Sequence, residues 1–344
     1  DKFDYVDITF SEPMNTNTFS AYISGPQGVY QNTITQYFSN NTYRISFPEQ
    51  TKGGDYTLVI DSQISDLAGN AMGHSFAGSF SLPVKVLVGI NAVPKVSFYD
   101  SDHSLVTIQV KSGLVDVTLD GINLKPVYDT KGTTVTGDNI TISKIAIIGG
   151  TESTQLTIKA KGGDNQAALG AITGSSLGKL NAKGINLTGD IDLSGCLGSI
   201  EAENIGEGVT IRTAKETTKG FTLKTNHIFD GVIFDITGKI GKFQTNSFDS
   251  GSILADSIGQ VKVASGNFDV DINAKTGDIL NINTSGNISG NISAEGLIKT
   301  ITAKYGSITG AVRAGMDIGT VKSLQLDSAI LSAGNNIKQV KING

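Results

Sequence analysis

Ile298-Lys299-Thr300-Ile301, Ile318-Gly319-Thr320-Val321 and Ile337-Lys338-Gln339-Val340 state one short phrase three times. A second phrase keeps step with it. Asn287-Ile288-Ser289-Gly290-Asn291-Ile292 returns in the next repeat as Ser307-Ile308-Thr309-Gly310-Ala311-Val312. A self-similar period of about 20 residues, built from β-branched residues and Gly, predicts a coiled sheet in which each repeat stacks on the next.

The rhythm can be followed backwards from the tail. Leu177-Gly178-Lys179-Leu180-Asn181-Ala182 returns one period later as Leu197-Gly198-Ser199-Ile200-Glu201-Ala202. The Gly-containing phrase is already present at Asn186-Leu187-Thr188-Gly189-Asp190-Ile191. Ile240-Gly241-Lys242-Phe243 and Ile258-Gly259-Gln260-Val261 continue the series at a slightly shorter interval. Before them residues 206–239 break step, and their charged residues and Thr217-Thr218-Lys219 predict an insertion, a loop protruding from one rung. Allowing for it, about nine rungs follow residue 177.

Within one rung the apolar positions are Leu177, Leu180, Ala182, Leu187, Ile191 and Leu193. Two-residue steps mark strand faces, and longer steps with Gly or Asn between them mark corners. Rungs about 4.8 Å apart then place Ile298, Ile318 and Ile337 in one interior ladder, and Ile301, Val321 and Val340 in another. Gly and Asn at the corners are expected to supply positive φ. The architecture this predicts is a right-handed parallel β-helix or a closely related solenoid over residues 84–344, with irregular first turns at 84–176 and regular rungs at 177–344.

The first eighty residues read differently. Short alternating strands are expected at Tyr5 to Phe10, Phe19 to Ile23, Val29 to Phe38, Tyr43 to Phe47, Tyr56 to Ile60 and Phe76 to Leu82. Pro13, Gly25-Pro26-Gln27-Gly28, Gly53-Gly54 and Asp66-Leu67-Ala68-Gly69-Asn70 punctuate them. Strands this short with turn signals this frequent predict a β-sandwich over residues 1–83. The whole chain is therefore expected to be all-β.

Composition agrees and also excludes. Charged residues make up 17% of the 344, Trp is absent, and Gly is abundant at 42. A net charge of -5 without a basic run argues against a nucleic-acid partner. The single cysteine, Cys196, rules out an internal disulfide and a cysteine-based zinc site. No apolar run approaches membrane-spanning length, the longest being Val84 to Ile90. The sequence opens at Asp1 without Met and stops partway through a repeat, which is expected of a piece of a longer protein.

Phe10-Ser11-Glu12-Pro13-Met14, Tyr56-Thr57-Leu58 after a Gly pair, and Asp66-Leu67-Ala68-Gly69-Asn70 together resemble the Ig-like domains of bacterial surface-layer and giant secreted proteins. The resemblance covers residues 3 to 82. Such domains usually carry a further strand upstream of Thr9-Phe10. The rung phrases are similar to repeats in very large secreted proteins of planctomycete type, over about residues 96 to 344, more in rhythm than in motif. These resemblances imply an extracellular, cell-surface setting.

Chemistry-bearing candidates are few. Asp66 and Asn70 offer oxygen ligands for calcium, but a tight turn closed by their own bonds to the backbone is the simpler reading. Asp190 with Asp192, and Asp269 with Asp271, have the i, i+2 spacing that puts two carboxylates on one outward strand face. A polysaccharide lyase or hydrolase would need such carboxylates grouped, yet the pairs fall about four rungs, or about 19 Å, apart. Arg212 and Lys215 lie in the expected insertion with no acidic cluster to match. His74, His103 and His227 have no ligand-like spacing. Sequons occur at Asn40, Asn139, Asn186, Asn283, Asn287 and Asn291 without deciding glycosylation. Phe221, Phe229, Phe234 and Tyr305 are the aromatic candidates for a glycan-stacking face.

The sequence thus predicts a non-enzymatic extracellular structural segment of a bacterial cell-surface protein: a surface layer, fibre or adhesin stalk. No catalytic residue or cofactor is assigned, calcium being the one ion considered. Its expected partners are copies of itself, neighbouring domains of a longer chain, or cell-envelope glycan, without membrane insertion. A polysaccharide-degrading β-helix enzyme and a carbohydrate-binding module are the alternatives.

Overall fold

A computed structural model describes residues 2–343; Asp1 and Gly344, the outer limits of the two expected domains, lie outside the described residues. The chain is all-β, and among the described residues its helix content is one 3-10 turn at Thr16–Thr18. Two compact units are present. One comprises the described residues up to Lys85 with Thr118–Val127 and Thr134–Ile140; the other comprises Val86–Val117, Tyr128–Thr133 and the described residues from Thr141 on.

The first unit contains β1 (Phe3–Thr9), β2 (Ala21–Gly25), β3 (Gly28–Gln31), β4 (Ile34–Ser39), β5 (Thr42–Gln50), β6 (Gly54–Ile60) and β7 (Phe76–Leu82). They form two antiparallel sheets in the orders β1-β5-β4 and β3-β2-β6-β7. Alternation along β5 and β6 sends Tyr43, Ile45, Phe47, Tyr56, Leu58 and Ile60 into the core between the sheets. The buried Tyr43 hydroxyl is satisfied on both sides, accepting from the Met14 amide at 2.6 Å and donating to the Met14 carbonyl at 3.1 Å. The single strand expected from Val29 to Phe38 is in fact two strands in different sheets. Asn32 sits at the crossing: its Oδ1 accepts from the Ala21 amide at 3.1 Å while its Nδ2 donates to Thr35 Oγ1 at 3.2 Å. A side chain that binds backbone on one side and a neighbour on the other holds the chain where it leaves one sheet for the other.

The second unit is a β-solenoid of about nine turns with roughly 20 residues per turn. Each rung contributes three short strands, and each strand stacks in parallel register on its counterpart. On the first face Leu156 aligns with Leu180, then Ile200, Leu223 and Phe243, and onward Val261, Ile282, Ile301, Val321 and Val340 align in turn. On the second, Leu169, Leu187, Ile205, Ile228, Phe248, Phe268, Ile288 and Ile308 form a ladder. On the third, Ile172, Ile191, Ile211 and Phe234 stack, followed by Ile253, Ile272, Ile292, Val312 and Leu331. Both tail ladders read from the sequence are present, since Ile298 pairs with Ile318 and Ile318 with Ile337, while Ile301 pairs with Val321 and Val321 with Val340.

Three expectations need correction. Residues 206–239 are not a protruding insertion. Thr210–Thr213, Phe221–Ile228 and the start of Val232–Val263 stack in register like any other rung, and only the corner at Ala214 to Gly220 is enlarged. The step from Ile200 to its partner Leu223 is longer than the step from Leu180 to Ile200, and that excess hid the phase. Residues 84–176 begin with antiparallel pairing: Leu105–Lys111 lies between Val96–Tyr99 and Gln155–Lys161. Register-matched parallel stacking runs on from Ile142 against Leu169 and Leu156 against Leu180.

The third correction concerns the corner glycines. Gly290 and Gly310 do not have positive φ. A Cβ at Gly290 would fall 2.1 Å from the Val270 carbonyl oxygen, and one at Gly310 would fall 2.0 Å from the Gly290 oxygen. Close approach between rungs selects Gly there. Positive φ is used elsewhere, for example at Gly231 (φ 72°).

Phe234, Phe243, Phe248 and Phe268 fill the middle of the coil, with Phe234 edge-on to Phe243 at 4.8 Å. Phe243→Ala is expected to cost about 3–5 kcal/mol in denaturant unfolding. Because each rung is stabilised by its neighbours, hydrogen exchange should show the loss concentrated in the rungs from Phe221 to Phe268, not spread over all of them.

Candidate functional site

The corners of the coil occupy two of the four carboxylates that sequence spacing singles out, Asp190 and Asp271. Asp190 Oδ1 accepts the Thr210 amide at 2.7 Å, one rung on. Asp271 Oδ1 accepts the Asn291 amide at 2.7 Å and Asn291 Nδ2 at 3.0 Å, and Asn291 Oδ1 in turn accepts the Ala311 amide at 3.3 Å. Asn287 Oδ1 accepts the Ser307 amide at 2.8 Å, Asp278 Oδ1 the Leu297 amide at 2.8 Å, and Asp317 Oδ1 the Asn336 amide at 3.2 Å. At a corner the backbone turns out of the sheet ladder and its N–H groups need another acceptor. A short side chain from the rung before supplies it. Asp278 and Asp317 were missed in the sequence, although each immediately precedes a ladder Ile, which is the signal that would have found them.

Asp192 and Asp269 remain on outward faces. Asp269 Oδ1 accepts from Ser289 Oγ at 3.1 Å. Asp192 lies in register with Arg212, and Arg212 with Asp235, giving a column of alternating charge across three consecutive rungs. Arg212 is therefore matched by acids after all. Together with Thr173, Gly174, Leu193, Ser194, Thr213 and Ala214 these three charged residues line an open groove of about 460 Å³. Its hollow comes from the small residues at one corner column beside the longer charged ones. Asp235 Oδ2 lies 3.5 Å from Arg212 Nε, and its Oδ1 lies 2.7 Å from Lys275 Nζ. A cation thus stands beside each oxygen of the Asp235 carboxylate. Lys215 sits in the enlarged corner, next in the chain to Ala214 of the groove lining. That corner is pinned by Glu152, whose Oε1 and Oε2 accept the Thr218 amide at 3.1 Å and Thr218 Oγ1 at 2.7 Å.

The remaining candidates fall apart from one another. His227 bonds Asp249 Oδ2 through Nε2 at 2.7 Å and stacks on Phe229 at 4.2 Å. His103 occupies a turn with φ 70°, and His74 is exposed between strands. Phe221 and Phe234 are buried ladder residues, which removes them from any glycan-stacking face, whereas Phe229 and Tyr305 are exposed at different corners. Asn186 Nδ2, the atom a glycan would need, donates to Gln166 Oε1 at 3.0 Å, while Asn40 sits in a turn at φ 45° and Asn139 lies within the strand Gly132–Ile148 at φ 51°. In the sandwich, Asp66 Oδ1 accepts the Asn70 amide at 2.8 Å and Oδ2 accepts Asn70 Nδ2 at 2.7 Å. That contact holds the Asp66 carboxyl below its ordinary range and closes the turn. Among the described residues no three His, Cys, Asp or Glu side chains are grouped to hold a metal ion. None of the described helices is long and apolar enough to cross a membrane.

One cluster had no signal in the sequence. The Tyr99–Ser104 turn meets the turn after Gln155–Lys161, where Ser104 Oγ donates to the Gly162 carbonyl at 2.7 Å and Asp102 Oδ2 accepts the Asp164 amide at 2.5 Å. Burial, and then the adjacent Asp102 carboxyl, push Asp100 up to about 6. The shared hydrogen bond from Asp100, followed by the Asp164 amide, holds Asp102 well below the ordinary carboxylate range.

Residues 3–82 match the bacterial Ig-like domain family. Neither a curated protein nor a solved structure matches the chain.

Asp100 and Asp102 give opposite pH dependences. A raised folded-state value contributes stability that is complete below the unfolded value near 3.9 and is lost as pH rises towards about 6. The lowered Asp102 contributes stability that is lost as pH falls below that same unfolded value. Stability of this region should therefore peak near pH 4, and Asp100→Asn, which keeps a donor at all pH values, should flatten the decline from about 4 to 6. Melting temperature against pH for both proteins would check this; parallel curves would refute it. Asp271→Ala, by stripping the Asn291 corner of its acceptor, is expected to cost about 1–2 kcal/mol in denaturant unfolding.

Proposed function

We propose that this chain is a non-enzymatic structural segment of an extracellular bacterial surface protein, a scaffold in a surface layer, fibre or adhesin stalk of the planctomycete-like giant secreted kind. The observation that carries the reading is where the polar side chains go. In the solenoid, Asp190, Asp271, Asp278, Asp317, Asn287 and Asn291 all hold the next rung's backbone, so these side chains serve stacking. A bacterial Ig-like domain joined to a β-solenoid supports an extracellular structural or surface role. The mechanism is mechanical: repeated nearest-neighbour contacts resist bending and local opening, and the flat faces offer repeated contacts for assembly.

A second reading, binding of cell-envelope glycan, is favoured by the Asp192–Arg212–Asp235 groove, whose charged and polar side chains could hydrogen-bond sugar hydroxyls. The enzyme alternative is the less favoured one, because the groove's Asp235 faces two cations and Asp190 serves a corner.

Immunogold labelling of intact and permeabilised cells distinguishes the leading reading: label is expected on the intact surface, and label confined to the cytoplasm would sink it. Incubation with acidic and neutral polysaccharides should release neither unsaturated products nor new reducing ends. Co-sedimentation with isolated envelope polysaccharide that Arg212→Ala abolishes would move the conclusion to the second reading.

A further inference from the structure

Over the last five rungs of the first face, residues 258–263, Ile279–Thr284, Ile298–Ala303, Ile318–Ser323 and Ile337–Ile342 stack in parallel register across about 19 Å. Three positions of each rung face outward beside the interior ladders, and none of them is acidic. Lys262, Lys299, Lys322, Lys338 and Lys341 are among them. Lys338 is paired with Asp317 at 2.8 Å, whereas among the described residues Lys262, Lys299, Lys322 and Lys341 make no ion pair. Lys322 stacks directly on Lys341. Like charges facing each other across a ladder are destabilising, so stacking gains nothing from this pair. The acids of these rungs stand off the face: Asp278 and Asp317, for example, hold the Leu297 and Asn336 amides at the corner before it. A chain of net charge -5 thus presents one surface that is positive throughout. The polar side chains between the lysines are equally unspent. Gln260, Asn281, Asn283, Thr300, Thr302 and Thr320 make no side-chain hydrogen bond among the described residues, unlike Asp271, Asn287 and Asn291 at the corners.

We propose that this face docks a linear acidic polysaccharide of the cell envelope, a polymer of uronic-acid type with carboxylates spaced along its length. Its carboxylates meet Lys262, Lys299, Lys322 and Lys341, and its hydroxyls meet the amides and hydroxyls between them, which both donate and accept. Each exposed charge contact is weak, but contacts repeated along one polymer add up. Nucleic acid fits less well. Duplex DNA carries a charge about every 1.7 Å, far denser than lysines about a rung apart. The face also has no aromatic side chain on which a base could stack, Leu280 being its one apolar side chain. A second copy is the poorer match as well, since its corner acids such as Asp190 and Asp271 already hold backbone. The proposal rests on the extracellular setting put forward above and does not involve the Asp192–Arg212–Asp235 groove.

Microscale thermophoresis of the full chain against polygalacturonate, its neutral methyl ester and duplex DNA tests this. Binding to polygalacturonate is expected at low salt, is lost at high salt and is absent with the ester. Changing Lys262, Lys299, Lys322 and Lys341 together to Gln should weaken it by about tenfold or more, and changing the same four to Arg should keep it. A second fourfold variant, with Lys52, Lys111, Lys131 and Lys161 changed to Gln, removes as much charge from exposed sites elsewhere and should bind like the parent. Arg212→Ala, in the groove, should do the same. If the first variant melts early, Lys299→Gln with Lys322→Gln carries the test at smaller effect. No binding, equal weakening by both fourfold variants, or loss in Arg212→Ala would overturn the proposal. So would tighter binding to DNA, or self-association of the chain alone that the first variant abolishes. Binding to purified polymer is read without cells and surface labelling without polymer, so this proposal and the extracellular reading fail separately.

Discussion

In the solenoid everything rests on parallel register between rungs about 4.8 Å apart. Backbone bonding between successive turns carries each residue onto its counterpart one turn later, so Ile282 meets Ile301 and Ile301 meets Val321. No rung can bury its apolar side chains alone, and each fully buried Ile or Leu contributes about 1.5–3 kcal/mol only when the rungs on either side are in place. The same closeness dictates the corners. Gly290 and Gly310 leave room for a neighbouring carbonyl, and Asp271 or Asn287 reaches the amide that the turn has freed. Apolar ladders, glycine corners and acidic caps are three consequences of one spacing.

That spacing also governs what chemistry the surface can present. Outward residues are arranged in columns, and any site must be assembled from column neighbours a rung apart. Asp192, Arg212 and Asp235 are such a column. Stacked, Arg212 pairs with Asp235 and Asp235 with Lys275, which adds to the coil's cohesion. Exposed ion pairs of this kind contribute about 0–1 kcal/mol each, so the column matters more as a patterned surface than as a source of stability. Acidic residues such as Asp271 at a corner are taken by backbone, and Asp235 on a face is taken by cations. A molecule organised in this way is suited to holding its shape and repeating its contacts.

The sandwich solves a different problem with the same material. Its strands have two ends and two edges, whereas a rung of the coil is bonded above and below. Tyr43 shows how the core is closed, with its hydroxyl tied to Met14 and its ring among Phe10, Phe19 and Tyr37. β4 shows where it is not closed. The crossing at Asn32 moves the chain from one sheet to the other and so creates that edge.

The two interior ladders of the tail, the all-β class and the sandwich ahead of the coil were legible in the sequence, because identical spacing and alternating burial leave a direct trace in residue type. The candidate site was legible only in its parts. Asp192 and Arg212 could be seen, but the lengthened step between Ile200 and Leu223 disguised a regular rung as a loop and hid that they stack. Glycine at a corner reads the same whether it serves positive φ or a neighbour's carbonyl, and only the closeness of Gly290 to Val270 separates them. Asp102 meets the amide of Asp164 across a long stretch of intervening chain, a contact with no periodicity to announce it. Period and polarity are local properties and are written in order along the chain. Which carboxylate finds which amide depends on how far the backbone has turned before the two meet, and that the tertiary structure alone decided.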